Sequence, residues 1–246
     1  MTQNKPDRIQ KILSQHGIMS RRKAEQAVLD GRVLVNGRPC QIGQPVSPKR
    51  DLITIDGKKV DFKADKKHIT IMLNKPRGVI TTTDDEQGRK SVMDLLDDLP
   101  VRVFPVGRLD RNSEGLLLLT NDGNLANALA HPSKRIGKTY RVTVRTLPEE
   151  EQLIALSAGV RIEGDPRPTM PASVHVLSAE PGRAVLQLTI YEGRNRQVRK
   201  MCEAVGLEVA RLRRTSVGPI KLGMLAPGKW RYLTPAEMVA LRNASK

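Results

Sequence analysis

One polar stretch, Phe62-Lys63-Ala64-Asp65-Lys66-Lys67-His68, constrains this chain most, because the hydrophobic pattern changes character across it. Before it, Ile9, Ile12 and Leu13 recur at i, i+3, i+4, which predicts one face of a short helix with Gly17 as its stop. Ser20 is placed to cap a second helix, with Ala24, Ala27 and Val28 on its apolar side and Gly31 closing it. VLVNGRPC and ITIDGKKV then each set Asn-Gly or Asp-Gly after a short β-branched run, the strongest short-range hairpin signal. The expected organisation is a small domain over 1–62, a linker over 63–68 and a larger domain over 69–246.

Beyond the break, HITIMLNKPRGVITT opens with a β-branched strand that Pro76 should end, since proline brings no N–H to a ladder. Strands are expected near 69–73, 115–120, 139–145, 184–191 and 209–214. Helices are expected near 91–97, 123–130, 148–157 and 195–205. Several consecutive strand-like runs in this mixture predict an α+β fold, built on a mainly antiparallel mixed sheet flanked by helices.

Charge narrows the partner. The 246 residues carry 42 lysines and arginines against 26 acids, a net charge of +16. Such a field attracts phosphate backbones by counterion release, and it exceeds the roughly 2–8 charges that serve solubility. Nucleic acid is the expected partner. Aromatics amount to 2%, so recognition should rest on cations and shape more than on stacking of bases on rings. Residues 1–67 hold 15 basic residues against 7 acidic ones. Among them Arg21, Arg22 and Lys23 fall in the first turn of the second expected helix, where the helix dipole disfavours cations. Beside exposed N–H groups they make a phosphate seat; the alternative is a solvated charge run.

Other classes are excluded or disfavoured. No stretch approaches the roughly 18 apolar residues of a membrane span, and MTQNKPDRIQKIL lacks the apolar run of a secretory signal. Cys40 and Cys202 give no disulfide framework, and with His16, His68, His131 and His175 they show no zinc spacing. The expectation is a cytoplasmic protein, a monomer, with no metal, no cofactor and no membrane partner.

Three segments carry candidate chemistry. In VGRLDRNSEGLLLLTNDG, Asp110 lies between Arg108 and Arg111, just ahead of the apolar run Leu116 to Leu119. A carboxylate beside guanidiniums favours its ionised form, which suits a nucleophile or base rather than an acid. GKTYRVTV places Tyr140 on a strand between Lys138 and Arg141. In YEGRNRQVRKMCEAVG, Val198, Met201, Cys202 and Val205 form a core-facing helical stripe, while Arg196, Arg199 and Lys200 share another face. Each feature also has a bland reading: a surface ion-pair knot, a core tyrosine, a solvated helix face. Arg211, Arg213 and Arg214, alternating with Leu212, are a further phosphate-binding candidate.

In order and wording these segments resemble the pseudouridine synthase motif set: GRLD, then KTY, then GRNRQVRKM. The resemblance spans nearly the whole chain. It is nearest the branch that modifies ribosomal RNA. Within that branch the wording is closer to the type called B, which acts on large-subunit RNA, than to the type called A, which acts on small-subunit RNA. Residues 7–62 resemble the αL-motif RNA-binding domain first described in a protein of the small ribosomal particle. The resemblance implies that Asp110 is the catalytic aspartate and that Tyr140 stacks beneath the target base. It further implies that Arg199 pairs with the aspartate and that Val198 packs against the base. It also implies cofactor-free isomerisation of a uridine in ribosomal RNA or pre-ribosomal particles, with Arg108, Arg111 and Arg196 holding the displaced backbone. Large-subunit RNA is the expected target and small-subunit RNA the alternative. A non-catalytic RNA-binding or ribosome-assembly protein is the main rival, yet it gives no reason for an aspartate inside an arginine-rich loop. A glycosidase or nuclease would need a second carboxylate, for which Glu114 is the nearest choice.

Overall fold

The computed structural model describes residues 6–62, 68–96 and 98–245 and divides into two compact units, Met1–His68 and Ile69–Lys246. All of the expected linker except His68 lies outside the described residues.

The first unit runs β1 (Asp7–Arg8), α1 (Ile9–Gln15), α2 (Arg21–Leu29), β2 (Val33–Val35), β3 (Arg38–Pro39), β4 (Pro45–Val46), β5 (Ile53–Ile55) and β6 (Lys58–Lys59). Ile9, Ile12 and Leu13 of α1 and Ala24, Ala27 and Val28 of α2 bury against Val33, Val35 and Ile53. Both hairpins form, β2–β3 and β5–β6. Their turn pairs Asn36-Gly37 and Asp56-Gly57 all take positive φ, between 52° and 78°, as a two-residue type I′ turn requires. Ser20 caps α2 by accepting the Lys23 N–H at 3.1 Å, and Arg21, Arg22 and Lys23 stand exposed on its first turn.

The second unit runs β7 (Thr70–Lys75), β8 (Phe104–Pro105), β9 (Glu114–Thr120), α3 (Gly123–Ala130), β10 (Lys138–Val144), α4 (Glu150–Ala158), β11 (Ser173–Glu180), β12 (Arg183–Ile190), α5 (Gln197–Ala204), β13 (Val209–Val217), β14 (Ile220–Lys221), β15 (Trp230–Tyr232) and α6 (Pro235–Ala244). Nine of these strands form one sheet in the order β11-β12-β10-β13-β9-β7-β15, with β14 on β13 and β8 on β9. Every pairing is antiparallel except β13 with β9. The α+β expectation therefore holds.

The run Leu116-Leu117-Leu118-Leu119 is apolar throughout because β9 is covered on both faces. Leu117 and Leu119 join Ile71, Leu73, Tyr140, Val142, Leu156, Val198, Met201 and Cys202 on the side that α4 and α5 cover. Leu116 and Leu118 join Met72, Leu125, Leu129 and Leu241 on the side of α3 and α6. The helix expected over 91–97 shrinks to one 3-10 turn, Met93–Leu95, with residue 97 outside the described residues. Ser91, bridged to Ile80, starts that turn: its N–H is taken by the Asp94 carboxylate at 2.6 Å and its Oγ accepts the Met93 N–H at 3.2 Å, as in a helix N-cap. The helix expected from 195 starts at Gln197, since Arg196 sits left-handed at φ 50° and ψ 31°.

Candidate active site

One row of facing positions crosses an end of the large sheet. Lys75 on β7 faces Gly115 on β9, Gly115 faces Arg214 on β13, Arg214 faces Tyr140 on β10, and Tyr140 faces Leu188 on β12. Glycine is required at 115. Its φ is +104°, and a Cβ there would lie 2.2 Å from the Arg214 carbonyl oxygen.

The loop between β8 and β9 carries Asp110 beside this row. Lys75 holds it from beneath: Nζ donates to the carbonyls of Asp110 at 3.0 Å, Ser113 at 2.7 Å and Pro76 at 3.1 Å. Lys75 has no exposed surface. Burial pushes its pKa down to about 8, with the Asp110 and Glu114 charges opposing and Arg214 assisting. On the outer side Arg199 Nη2 donates to the Asn112 carbonyl at 2.9 Å, and Thr81 Oγ1 donates to that of Leu109 at 2.7 Å. Arg111 and Gly78 exchange two further bonds, Gly78 N to Arg111 O at 2.8 Å and Arg111 Nε to Gly78 O at 3.3 Å.

Residues distant in the chain pack into one core beside this loop. Leu109, Tyr140 and Val198 share one apolar cluster with Met201 and Cys202. Arg199, on the same helix as Val198, reaches the Asp110 loop two residues past the aspartate. Burial draws the Arg199 pKa down, Arg196 adds to this, and the Asp110 charge opposes it. Burial pushes the Cys202 thiol up to about 12, which removes it as a nucleophile at neutral pH.

Several placements differ from the sequence expectation. Among the described residues the half-buried Asp110 carboxylate enters no ion pair within 4 Å. Arg199 donates Nη2 to the Asn112 carbonyl and Nη1, at 3.4 Å, to that of Val209, so the expected Arg199–Asp110 pair is not a direct contact, although the Asp110 charge acts on Arg199. Arg108, Arg111 and Arg196 are exposed around the loop and at the α5 start. Arg211 is exposed and ion-paired with Glu114, so the second carboxylate of a glycosidase reading is already committed to an arginine. Arg213 is half-buried on the same side of β13 as Arg211. Arg214 corrects the surface-grip expectation: it points with Leu212 into the core side, is 5% exposed, and donates Nε to the Leu116 carbonyl at 2.7 Å. Lys75 is a site residue that the sequence reading misses. Its signal is a cation at the end of an otherwise buried strand, two positions from the inward Leu73.

Comparison with known proteins identifies both units. The family model described as RNA pseudouridylate synthase matches residues 69–204, and the S4 domain model matches residues 7–52. The chain is 43% identical over 239 residues to the ribosomal large subunit pseudouridine synthase B of Bacillus subtilis, covering 96% of each chain. It is 37% identical over 234 residues to the dual-specificity RNA pseudouridine synthase RluF of Escherichia coli, covering 95% of this chain and 78% of that one. A solved pseudouridylate synthase superposes with a TM-score of 0.70 at 30% identity, covering 95% of this chain and 99% of the other.

Proposed function

This chain belongs to the RNA pseudouridylate synthase family and is an isomerase, and from that premise we propose that it converts a chosen uridine of large-subunit ribosomal RNA to pseudouridine with Asp110 as the catalytic carboxylate. The observation that carries this reading is the convergence described above: Tyr140 and Val198 share an apolar cluster with Leu109, and Arg199 is bonded to the loop that displays Asp110.

The reaction breaks the bond between uracil N1 and the sugar carbon C1′, turns the base, and joins its C5 to the same carbon. The C5 proton leaves to solvent and N1 gains one, so nothing is oxidised and no group is imported. Three tasks follow. An ionised carboxylate must act at the sugar, as nucleophile or base, which is the role of Asp110. The detached uracil must be held, which falls to the Tyr140 ring and the Val198 side chain. Water must be kept out while the new bond forms, which the apolar wall of Leu109, Val198 and Met201 serves. A paired uridine must first be turned out of its helix, and to Arg108, Arg111 and Arg196, all exposed, we assign the grip on the displaced backbone. The S4 unit, with Arg21, Arg22 and Lys23 exposed at a helix start, docks on structured RNA. We assign the work to the cytoplasm, on ribosomal RNA or pre-ribosomal particles, by a monomer.

Two experiments test this. Asp110→Asn keeps shape and removes the anion; tritium release from RNA labelled at uracil C5 should fall by at least about a thousandfold, while RNA binding persists. Retention of activity within about tenfold of wild type sinks the assignment. Mapping pseudouridines in both ribosomal RNAs from cells with and without the protein tests the target; a lost site in the small-subunit RNA would move the substrate there.

A further inference from the structure

Among the described residues, only three side chains bury a polar atom without any hydrogen-bond partner: Ser113 at Oγ, Arg199 at Nε and Arg214 at Nη2. All three surround the Asp110 loop. Ser113 closes its turn, Arg199 holds Asn112, and Arg214 holds Leu116 where the loop enters β9. Unsatisfied buried donors are rare in folded proteins, and three around one loop call for an explanation.

Arg214 is the one that no surface role explains. It is 5% exposed and its Nη2 is enclosed, so neither RNA phosphate nor uracil reaches that atom. No carboxylate pairs with it within 4 Å among the described residues, and its charge falls on two other cations, the buried Lys75 and the half-buried Lys138. Such a cation is costly to bury, and a well-packed apolar side chain of similar volume is often as stable or more so. Stability therefore gives no reason to keep an arginine here.

Position gives one. Arg214 is the cross-strand partner of Tyr140 on one side and of Gly115 on the other, and its Nε bond to Leu116 ties it to the first residues of β9, the strand that the Asp110 loop runs into. The same residue thus links the strand that carries the tyrosine to the strand that the carboxylate's loop runs into. We propose that Arg214 is a positioning residue for the isomerisation: it sets the spacing between the Asp110 loop and Tyr140 and adds fixed positive charge on that side of the sheet. The proposal rests on the roles given above to Asp110 and Tyr140. Pre-set geometry and charge of this kind act on the chemical step more than on substrate affinity.

The test compares Arg214→Met and Arg214→Lys with wild type and Asp110→Asn, in the full chain. Single-turnover rate at saturating RNA, the RNA dissociation constant and the thermal midpoint are measured for each. Arg214→Met should fold with a midpoint at or above that of wild type. Its rate should fall by about thirtyfold or more, with the dissociation constant within about threefold. Arg214→Lys, which keeps the charge without the planar fork, should recover part of the rate. A wild-type rate in Arg214→Met overturns the proposal. So does a lowered midpoint with an unchanged rate per folded molecule, which would make Arg214 a structural clamp. A loss confined to RNA affinity would make it an RNA contact and overturn the proposal equally. Should Arg214→Met fail to fold, Arg214→Lys decides: a reduced rate at unchanged affinity supports the proposal, and a wild-type rate overturns it. A fully active Asp110→Asn would bring down the functional reading itself, whereas an inactive Asp110→Asn beside a fully active Arg214→Met would overturn only the role of Arg214.

Discussion

Replacing Lys75 with methionine should flatten the alkaline stability profile of the synthase unit. In the folded protein burial brings the Lys75 pKa from 10.5 down to about 8. Below pH 8 the folded and unfolded chains both carry the proton, so the burial penalty is present in full and does not vary with pH. Between about 8 and 10.5 the folded chain sheds the proton while the unfolded chain keeps it. The unfolded state then binds more protons, and stability rises with pH. For a group with these two pKa values, the gain on going from pH 7 to pH 9.5 is about 2 kcal/mol. In a domain of this size that corresponds to roughly 4–8 °C in the thermal midpoint. Other titrating groups move both proteins alike and cancel in the difference. The assay is the midpoint of wild type and Lys75→Met at pH 7 and pH 9.5. The wild type should gain, or resist loss, by about 2 kcal/mol relative to the variant. Parallel profiles would mean that Lys75 is not buried as a strained cation, and would refute the reasoning. The variant should also slow isomerisation, because the carbonyls of Pro76, Asp110 and Ser113 lose their shared donor.

Three further outcomes are expected. Tyr140→Phe keeps a ring under the base and should retain more activity than Tyr140→Leu; equal losses would make the hydroxyl the working group. Arg199→Ala frees the Asn112 carbonyl and should cut the single-turnover rate, with Arg199→Lys recovering part of it; unchanged rates in both would remove Arg199 from the site. Changing Arg21, Arg22 and Lys23 together to Glu should weaken RNA affinity more than it slows the bound reaction, and should flatten the salt dependence by up to about three units of slope; an unaltered slope would take that helix start out of RNA binding.

The parts of this molecule that local rules govern are readable from the residues. The Asn36-Gly37 and Asp56-Gly57 hairpins, the Ser20 cap and the α5 stripe each depend on neighbours within a few positions. The grouping of Asp110, Tyr140 and Val198 into one proposed site comes through resemblance, since no spacing rule joins the β8–β9 loop, β10 and α5. Lys75 escapes a sequence reading because its burial depends on carbonyls 35 and 38 positions away, and a lysine before a proline reads as the exposed end of a strand. Arg214 is misplaced for a different reason. Alternation along β13 sets Arg211 and Arg213 on one face and Leu212 and Arg214 on the other, so the two-residue period already separates it from its neighbours. Grouping three arginines by sequence proximity overrides that signal. The short strands β8, β14 and β15 carry too few residues to show any period, and β11 is an exposed edge whose pattern lacks a buried face.

The cations around the Asp110 loop share a habit that bears on how the carboxylate works. Lys75, Arg111, Arg199 and Arg214 all donate to backbone carbonyls, and among the described residues none of them forms an ion pair within 4 Å with a carboxylate. A guanidinium bound side-on to Asp110 would take one lone pair of each oxygen and make the carboxylate a weaker base and nucleophile. Gripping the backbone instead fixes where the carboxylate stands and keeps positive charge near it, while its oxygens stay available. The cost is visible in the orphaned nitrogens of Arg199 and Arg214. Installing a pairing cation should then be harmful: Asn112→Arg, placed two residues from Asp110 on the exposed side of the loop, should slow the reaction even though it adds positive charge. A faster Asn112→Arg enzyme would show that field strength, rather than free carboxylate oxygens, limits the step.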